Sequence, residues 1–256
     1  MRVAAVIPAY NEAATIRDVV TRALTQCPHV IVVDDGSTDG TAQRLAGLGA
    51  TVLRHENNRG KAAALFSGFE RALADDVDAV ITLDGDGQHR PEDIPRMLAV
   101  AEKAPHRIII GSRIANGAAF PKQRYYANCT ASFWISWAAG YRIHDSQSGF
   151  RLYPASLLKR LRLPHDHAHG FVFESEVLIE AARLGVYSES VAIEAIYGGP
   201  ARASHFRSVV DVLRITRMVA WKLISRAMYP QGFARAFLGR GLPGVAPTEV
   251  VRDARR

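Results

Sequence analysis

Only two cysteines, Cys27 and Cys129, occur in 256 residues. That is too few to staple a fold of this length or to furnish a four-cysteine zinc site, and it fits a reducing, cytoplasmic compartment. Aromatic residues make up 8% of the chain, and they are not interleaved with basic residues as a nucleic-acid-binding surface would require. Long apolar runs are scarce as well. The first one is interrupted by Pro8 and Glu12, so no secretory signal is visible. The stretch 125–141 is uncharged but carries Asn128, Thr130, Ser132 and Ser136 and lacks an aliphatic run, which predicts a buried or interfacial helix rather than a transmembrane span. What the chain does have is core: 48% apolar and 22% charged residues exclude intrinsic disorder. The length permits one large α/β domain or two small ones. Thirty-two basic residues against 25 acidic ones leave a net charge of +7, which suits an anionic partner, either a membrane surface or a phosphorylated ligand, since no nucleic-acid motif is present.

The first half alternates strand and helix signals. Strands are predicted at 3–7 (ended by Pro8), 30–34, 52–54 and 79–83, with helices at 13–24, 41–48 and 61–74 between them. A helix at 91–102, opened by proline, and a strand at 107–110 follow. This spacing implies crossover units, hence an α/β fold with a mostly parallel central sheet and helices on both faces. Helices are predicted at 126–139 and 174–184, a strand at 191–196 and a longer helix at 206–227. The chain from about residue 231 shows no periodicity and reads as a flexible tail.

In open parallel sheets, ligands bind beyond the carboxyl ends of the strands. Three of those ends are polar: Pro8-Ala9-Tyr10-Asn11-Glu12, then Asp34-Asp35-Gly36-Ser37, then Asp84-Gly85-Asp86-Gly87-Gln88-His89. Carboxylates gathered on one rim of a basic protein call for a counter-charge, and a divalent cation is the natural one. Each piece alone has an ordinary reading. Asp34 to Ser37 suits a helix N-cap or turn, and the Asp84 segment suits a plain turn. It does not form an EF-hand loop, because His89 stands where that loop needs glycine. A phosphorylatable receiver module would carry its acidic pair after the first strand rather than the second. A haloacid-dehalogenase-type phosphatase would leave the two upstream motifs without a role.

As an ordered set, these segments with Asn58-Arg59-Gly60-Lys61 resemble the family 2 inverting glycosyltransferases of GT-A fold. Three later segments are similar to the branch of dolichyl-phosphate mannose synthases and polyprenyl-phosphate sugar transferases: Ile110-Gly111-Ser112-Arg113, Asp145-Ser146-Gln147-Ser148-Gly149-Phe150-Arg151 and Phe173-Glu174-Ser175-Glu176. The resemblance covers about residues 1–226. It implies a catalytic domain over 1–200, with a nucleotide-sugar half (1–112) and an acceptor half (113–200), followed by a basic amphipathic helix within 201–230 and the tail 231–256.

The same resemblance implies roles. Pro8, Tyr10, Glu12 and Asp35 would surround the nucleotide, with Lys61 and Asp84 nearer its phosphates. Asp84, Asp86 and Gln88 would hold Mg²⁺ or Mn²⁺ against the donor diphosphate, as hard oxygen ligands do. Arg113 would share the charge of the leaving group. Arg124, Arg202 and Arg207 are candidates for an acceptor phosphate. A hydroxyl acceptor would need a base, Asp145 or Glu174; a phosphate acceptor is already anionic. The implied partners are a nucleotide-sugar (UDP- or GDP-), a polyprenyl or related lipid phosphate, and the inner face of the cytoplasmic membrane. That surface would be met by a basic face of Arg207, Arg214 and Lys222, with Trp221 at the interface. Alternatives are a hydroxyl acceptor or, outside catalysis, a receiver-like signalling module. His165, His167 and His169 share one face of an extended chain but read as a polar loop rather than a zinc site.

Overall fold

The computed structural model describes residues 1–113, 122–163, 172–194 and 208–238. Strand β1 (Val3–Ala9) is followed by α1 (Ile16–Gln26), β2 (Val30–Asp34), a single helical turn α2 (Thr41–Arg44), β3 (Thr51–Arg54), α3 (Lys61–Ala74) and β4 (Ala79–Thr82). A 3₁₀ turn at Pro91–Asp93 leads into α4 (Ile94–Lys103), and β5 (Ile108–Ser112) comes next. Then come α5 (Lys122–Ala139), β6 (Arg151–Pro154), a turn of helix α6 (Ala155–Leu158), α7 (Val172–Arg183), β7 (Ser188–Ala192), α8 (Ser208–Ile224) and α9 (Pro230–Phe237).

The strands form one seven-stranded sheet in the order β3-β2-β1-β4-β6-β5-β7. Its pairings are parallel except those of β6, which runs antiparallel to both β4 and β5. Alternate residues of β1 serve opposite faces. Ala4 and Val6 join Ile31, Val33, Leu65, Phe69 and Phe173 on one side; Ala5 and Ile7 join Val32, Ile16, Val20, Ile81 and Met97 on the other. Burial on both faces explains why these strands read as unbroken apolar runs. Among the described residues, no helix is long and apolar enough to cross a membrane.

Several elements depart from their sequence-based expectations. Strand β1 continues through Pro8 to Ala9, with Pro8 opposite Val33. Ala5 donates to His29 O and Ala9 accepts from Asp35 N on the β2 side, while Val6 faces β4. Pro8 therefore faces the β4 side, past the last β1–β4 pair, Val6 and Thr82, where its missing N–H costs no ladder bond. Helix α2 is one turn rather than a helix over 41–48, because Gly47 and Gly49 follow in left-handed conformations. Strand β7 lies earlier than 191–196: its Ser188, Glu189 and Ser190 suit an edge position and carry no apolar signature. The flexible tail expected from residue 231 is corrected over Pro230–Phe237, where α9 packs on α5. Phe133 stacks on Phe237 at 4.8 Å and Phe233 meets Trp137 at 5.1 Å.

The approach of α3 to the sheet is set by Gly68. A Cβ there would lie 2.3 Å from Val6 Cγ1 and 3.3 Å from Val33 Cγ2, on stiff β-branched side chains that are wholly buried. Gly68→Ala gains about 1 kcal/mol of helix propensity, but a contact at 2.3 Å puts the overpacking cost in the upper part of its usual range, about 2–3 kcal/mol. We expect a net loss of about 1–2 kcal/mol, read as a lower urea midpoint at unchanged m-value. An unchanged or raised midpoint would show that the interface is looser than the geometry describes.

Candidate active site

The carboxyl ends of β1, β2 and β4 open on one rim, and the antiparallel β6 adds its own amino end there, since Arg151 pairs with Thr82. One reversed strand thus carries residues 145–150 to the same place as Asp35 and Asp84.

At the β2 end, Asp34 forms the expected turn, its Oδ1 accepting Ser37 N–H at 2.9 Å. Asp35 is nearly inaccessible. Its Oδ1 faces His55 Nδ1 at 2.6 Å and accepts Arg59 N–H at 2.9 Å, while Oδ2 accepts Gly60 N–H at 2.8 Å. His55 Nε2 reaches Ser67 Oγ on α3 at 2.9 Å. Gly36 makes this possible: it has φ +75° and lies so close to the Asn57–Asn58 main chain that a Cβ would fall 2.6 Å from Asn57 C. Asp35 therefore orders the loop that starts α3, whose first residue is Lys61. Pro8 is buried in β1, Tyr10 is half-buried, and the buried Glu12 is anchored through its N–H to Thr41 Oγ1 at 2.8 Å.

Lys61 reaches two carboxylates, Asp84 Oδ1 at 2.6 Å and Glu174 Oε1 at 2.8 Å. Burial alone would lower its pKa, but the facing Asp84 and Glu174 charges outweigh that and hold the ammonium firmly protonated. Burial likewise opposes ionisation of Asp84, yet Lys61, with Arg113, keeps its carboxyl below the usual range. Gly149 passes directly over the pair: a Cβ there would stand 3.0 Å from both Asp84 Oδ2 and Lys61 Nζ.

Asp86 has the opposite environment. Burial and the neighbouring Asp84 charge push its pKa up to about 6, and its Oδ1 accepts Gln88 N–H at 3.0 Å. Burial and the Asp84 charge outweigh the opposing influence of Lys61 and Arg113 at Asp86, and two carboxylates with the Gln88 amide make a hard oxygen set. These residues fit a divalent cation. Among the described residues no three His, Cys, Asp or Glu side chains form a metal cage by themselves. His89 is buried and neutral, its pKa lowered to about 4 chiefly by burial. Its Nδ1 accepts Asp84 N–H at 3.3 Å, its ring lies 5.4 Å from Phe150, and its Nε2 has no hydrogen-bond partner among the described residues.

On the β6 side of the rim, Asp145 is wholly buried with φ +55°. Its carboxylate accepts Arg113 N–H at 2.7 Å, Arg113 Nη2–H at 3.3 Å and Asn128 Nδ2–H at 2.6 Å. Burial works against this charge, but Arg113 and Asn128 prevail and lower the pKa. Asn128 and Ser132 lie on α5, with Ser132 Oγ 3.0 Å from Ser146 Oγ. Two of the polar residues that disqualified 125–141 as a span, Asn128 and Ser132, thus hold the Asp145–Ser146 segment. Arg151, fully buried, donates to three main-chain carbonyls: Ser148 O at 2.7 Å, Glu174 O at 2.5 Å and Ser146 O at 2.7 Å. Glu174 Oε2 is buried without a hydrogen-bond partner among the described residues.

The rim therefore brings together Asp35, Lys61, Asp84, Asp86, Gln88, Arg113, Asp145 and Glu174. The Arg124 side chain, Arg202, Arg207 and the His165, His167 and His169 group lie outside the described residues. Sequence reasoning missed His55, Asn128 and the clamp made by Arg151. The available signal for the last was a lone arginine between Phe150 and Leu152 in an otherwise apolar stretch.

This sheet and rim define an α/β fold with a charged site at the strand ends, and comparison with known proteins makes the class specific. Residues 4–179 match the family described as Glycosyl transferase family 2. The chain is 32% identical over 213 residues to the UDP-N-acetylglucosamine–dolichyl-phosphate N-acetylglucosaminyltransferase of Methanococcus voltae (75% of this chain, 84% of that one). It is 30% identical over 195 residues to the polyprenol monophosphomannose synthase of Mycolicibacterium smegmatis (72% and 73%). It is 31% identical over 195 residues to the undecaprenyl-phosphate mannosyltransferase of Micrococcus luteus (72% and 79%). Among solved structures it is similar to glucosyl-3-phosphoglycerate synthase from Mycobacterium tuberculosis in complex with Mn²⁺, uridine-diphosphate-glucose and glycerol 3-phosphate. The TM-score is 0.63 at 23% identity, covering 88% of this chain and 79% of that one, a likeness that shows the GT-A fold. The chain belongs to glycosyl transferase family 2, and it is a glycosyltransferase of the branch whose relatives are named for transfer to polyprenyl phosphates. Membership sets aside the receiver-like alternative.

Proposed function

We propose that the protein moves one sugar from a nucleoside-diphosphate donor, UDP- or GDP-linked, to a polyprenyl phosphate, with inversion, using Mg²⁺ or Mn²⁺. Asp84, Asp86 and Gln88 would hold the cation, whose chemistry is to neutralise charge on the leaving diphosphate. Lys61 and Arg113 lie beside Asp84 and Asp145 and add fixed positive charge to the same region. Pro8, Tyr10, Glu12 and Asp35 line the nucleotide end. Asp35 contributes mainly by ordering Arg59 and Gly60, because its carboxylate is already taken up by three protein donors. Arg124, Arg202 and Arg207 remain our candidates for the acceptor phosphate.

The observation that carries this reading is that both candidate bases are paired to cations. Asp145 is bound to Arg113 and Asn128, and Glu174 is bound to Lys61. Burial opposes the Asp145 charge, yet Arg113 and Asn128 hold its carboxyl below the usual range, which makes it a poor proton acceptor and suits an acceptor that needs no base. A phosphate monoester is such an acceptor: it is anionic near neutral pH and attacks the anomeric carbon directly. Asp145 is then a positioning residue, not the base that a hydroxyl acceptor would require. Neighbouring GT-A structures hold UDP with Mn²⁺ or Mg²⁺, in keeping with the donor and metal proposed.

The test is transfer of labelled sugar from UDP- and GDP-donors, with Mn²⁺, to a detergent-dispersed polyprenyl phosphate and to the matching polyprenol. Label is expected in the organic phase with the phosphate only. Label on the polyprenol, or only on water-soluble hydroxyl acceptors, would overturn the reading.

A further inference from the structure

Helix α8 is apolar on two sides. Its inner side, Ile215, Val219 and Leu223, is buried against the catalytic domain. Lys222 is on this side too, paired to Glu176 at 2.8 Å and to Glu180 of α7. It is therefore not part of an outward basic face, contrary to the sequence-based expectation. The outer side repeats at helical spacing, i, i+4, i+7: Arg217, Trp221 and Ile224, extended past the helix end by Met228. Trp221 is 70% exposed, Ile224 63% and Met228 46%. Large apolar side chains displayed in a row on a surface helix mark an interaction site rather than a packing defect.

The surroundings of this row select its occupant. From 214 to 238 the chain carries Arg214, Arg217, Lys222, Arg226 and Arg235 and no acidic residue. A row of tryptophan and aliphatic side chains beside arginines, without acids, complements an anionic, amphipathic surface. The turn after α8 is rigidly built for so exposed a place. Ala227, Met228 and Tyr229 all have positive φ, which ordinary residues adopt only when their surroundings impose it. Here Trp137 Nε1–H donates to Tyr229 O at 3.2 Å, Arg226 covers the Tyr229 ring at 3.6 Å, and the ring packs against Gly140 and Gly232. Helix α8 is thereby held against the body as a fixed ridge.

We propose that the outer row Arg217–Trp221–Ile224–Met228 is a bilayer-contact ridge, with Trp221 and Ile224 entering the headgroup region of an anionic membrane. The proposal rests on the lipid-phosphate reading above, since a long-chain lipid phosphate is met at a bilayer surface, and it names the side chains that make the contact.

The test is cosedimentation with phosphatidylglycerol–phosphatidylcholine vesicles. At about 0.1 M salt, where the Debye length is about 10 Å, the protein should pellet; at about 1 M, where it is about 3 Å, binding should weaken but not vanish, because the apolar contacts remain. Trp221→Ser combined with Ile224→Ser should lower the partition coefficient about tenfold or more, as should Arg217→Glu. The vesicle-induced blue shift of tryptophan emission should disappear in Trp221→Phe, although Trp134 and Trp137 remain. These positions are exposed, so melting temperatures should be unchanged, and transfer to a detergent-dispersed polyprenyl phosphate should stay at the wild-type rate. Wild-type protein that transfers sugar in detergent yet ignores vesicles would overturn the ridge and leave the function standing. Binding without transfer to any lipid phosphate would do the reverse. Self-association lost in Trp221→Ser/Ile224→Ser, without vesicle binding, would assign the row to a second copy and overturn the proposal.

Discussion

Asp86→Asn should reduce sugar transfer about a thousandfold while leaving the folded protein at least as stable. The two halves of this expectation come from one geometry. Asp86 is part-buried next to Asp84, so its charge is a burden on the metal-free protein and an asset only when a cation is bound. Asparagine keeps the oxygen that accepts Gln88 N–H and removes the repulsion. What it loses is one of two anionic ligands, and a metal's contribution to stabilising a developing charge is several kcal/mol, with about 1.4 kcal/mol for each tenfold in rate. A second readout is independent of turnover: Mn²⁺ with UDP should raise the melting temperature of the wild type and not of the variant. Transfer by the variant at near wild-type rate under saturating Mn²⁺ would sink the metal-site assignment.

Arg151→Met should cost about 3–5 kcal/mol of stability and disorder the acceptor side of the site. The side chain is fully buried and ties Ser146 O, Ser148 O and Glu174 O together. Methionine fills much of the volume but donates no hydrogen bond, so three buried carbonyls lose their partner at about 1–3 kcal/mol each, offset in part by no longer burying a guanidinium. For a chain of this size that corresponds to a melting point lower by roughly 8–15 °C. Arg151→Lys keeps the charge but not the planar fork, and should recover only part of the loss. If Arg151→Met melts within about 2 °C of the wild type, the clamp does not exist as described.

These two residues also mark how far the sequence could be read. Asp86 was legible because its chemistry is local: two carboxylates and an amide within five residues, at the end of an apolar β-branched strand, already state a hard-cation motif. The same holds for Lys61, which opens α3 as expected, and for the parallel course of β1, β2 and β4, whose apolar runs and intervening helices imply crossovers. Arg151 was not legible as a clamp, because its partners are carbonyls 3, 5 and 23 residues away in sequence. No side-chain pattern records where a main-chain oxygen will point. Strand β6 escaped notice for a related reason: four residues bracketed by arginine and proline carry no alternation to detect.

Lys222 shows the limit of a helical wheel. Periodicity identifies an apolar stripe, but a cation at the stripe's edge can turn toward solvent or toward buried glutamates. Only the position of α7, with Glu176 and Glu180 facing α8, decides between them. The sequence by itself determined the α/β class, the acidic rim and the family resemblance, because each rests on residues close together in the chain. The tertiary structure alone decided which carboxylates are paired and which lack a counter-charge. It assigned Asp145 to Arg113 and Asn128, Glu174 to Lys61 and, among the described residues, no ion pair to Asp86. The physical reason is that pairing depends on distances of about 3 Å between groups up to 113 residues apart, and the reversed course of β6 is what brings them within reach.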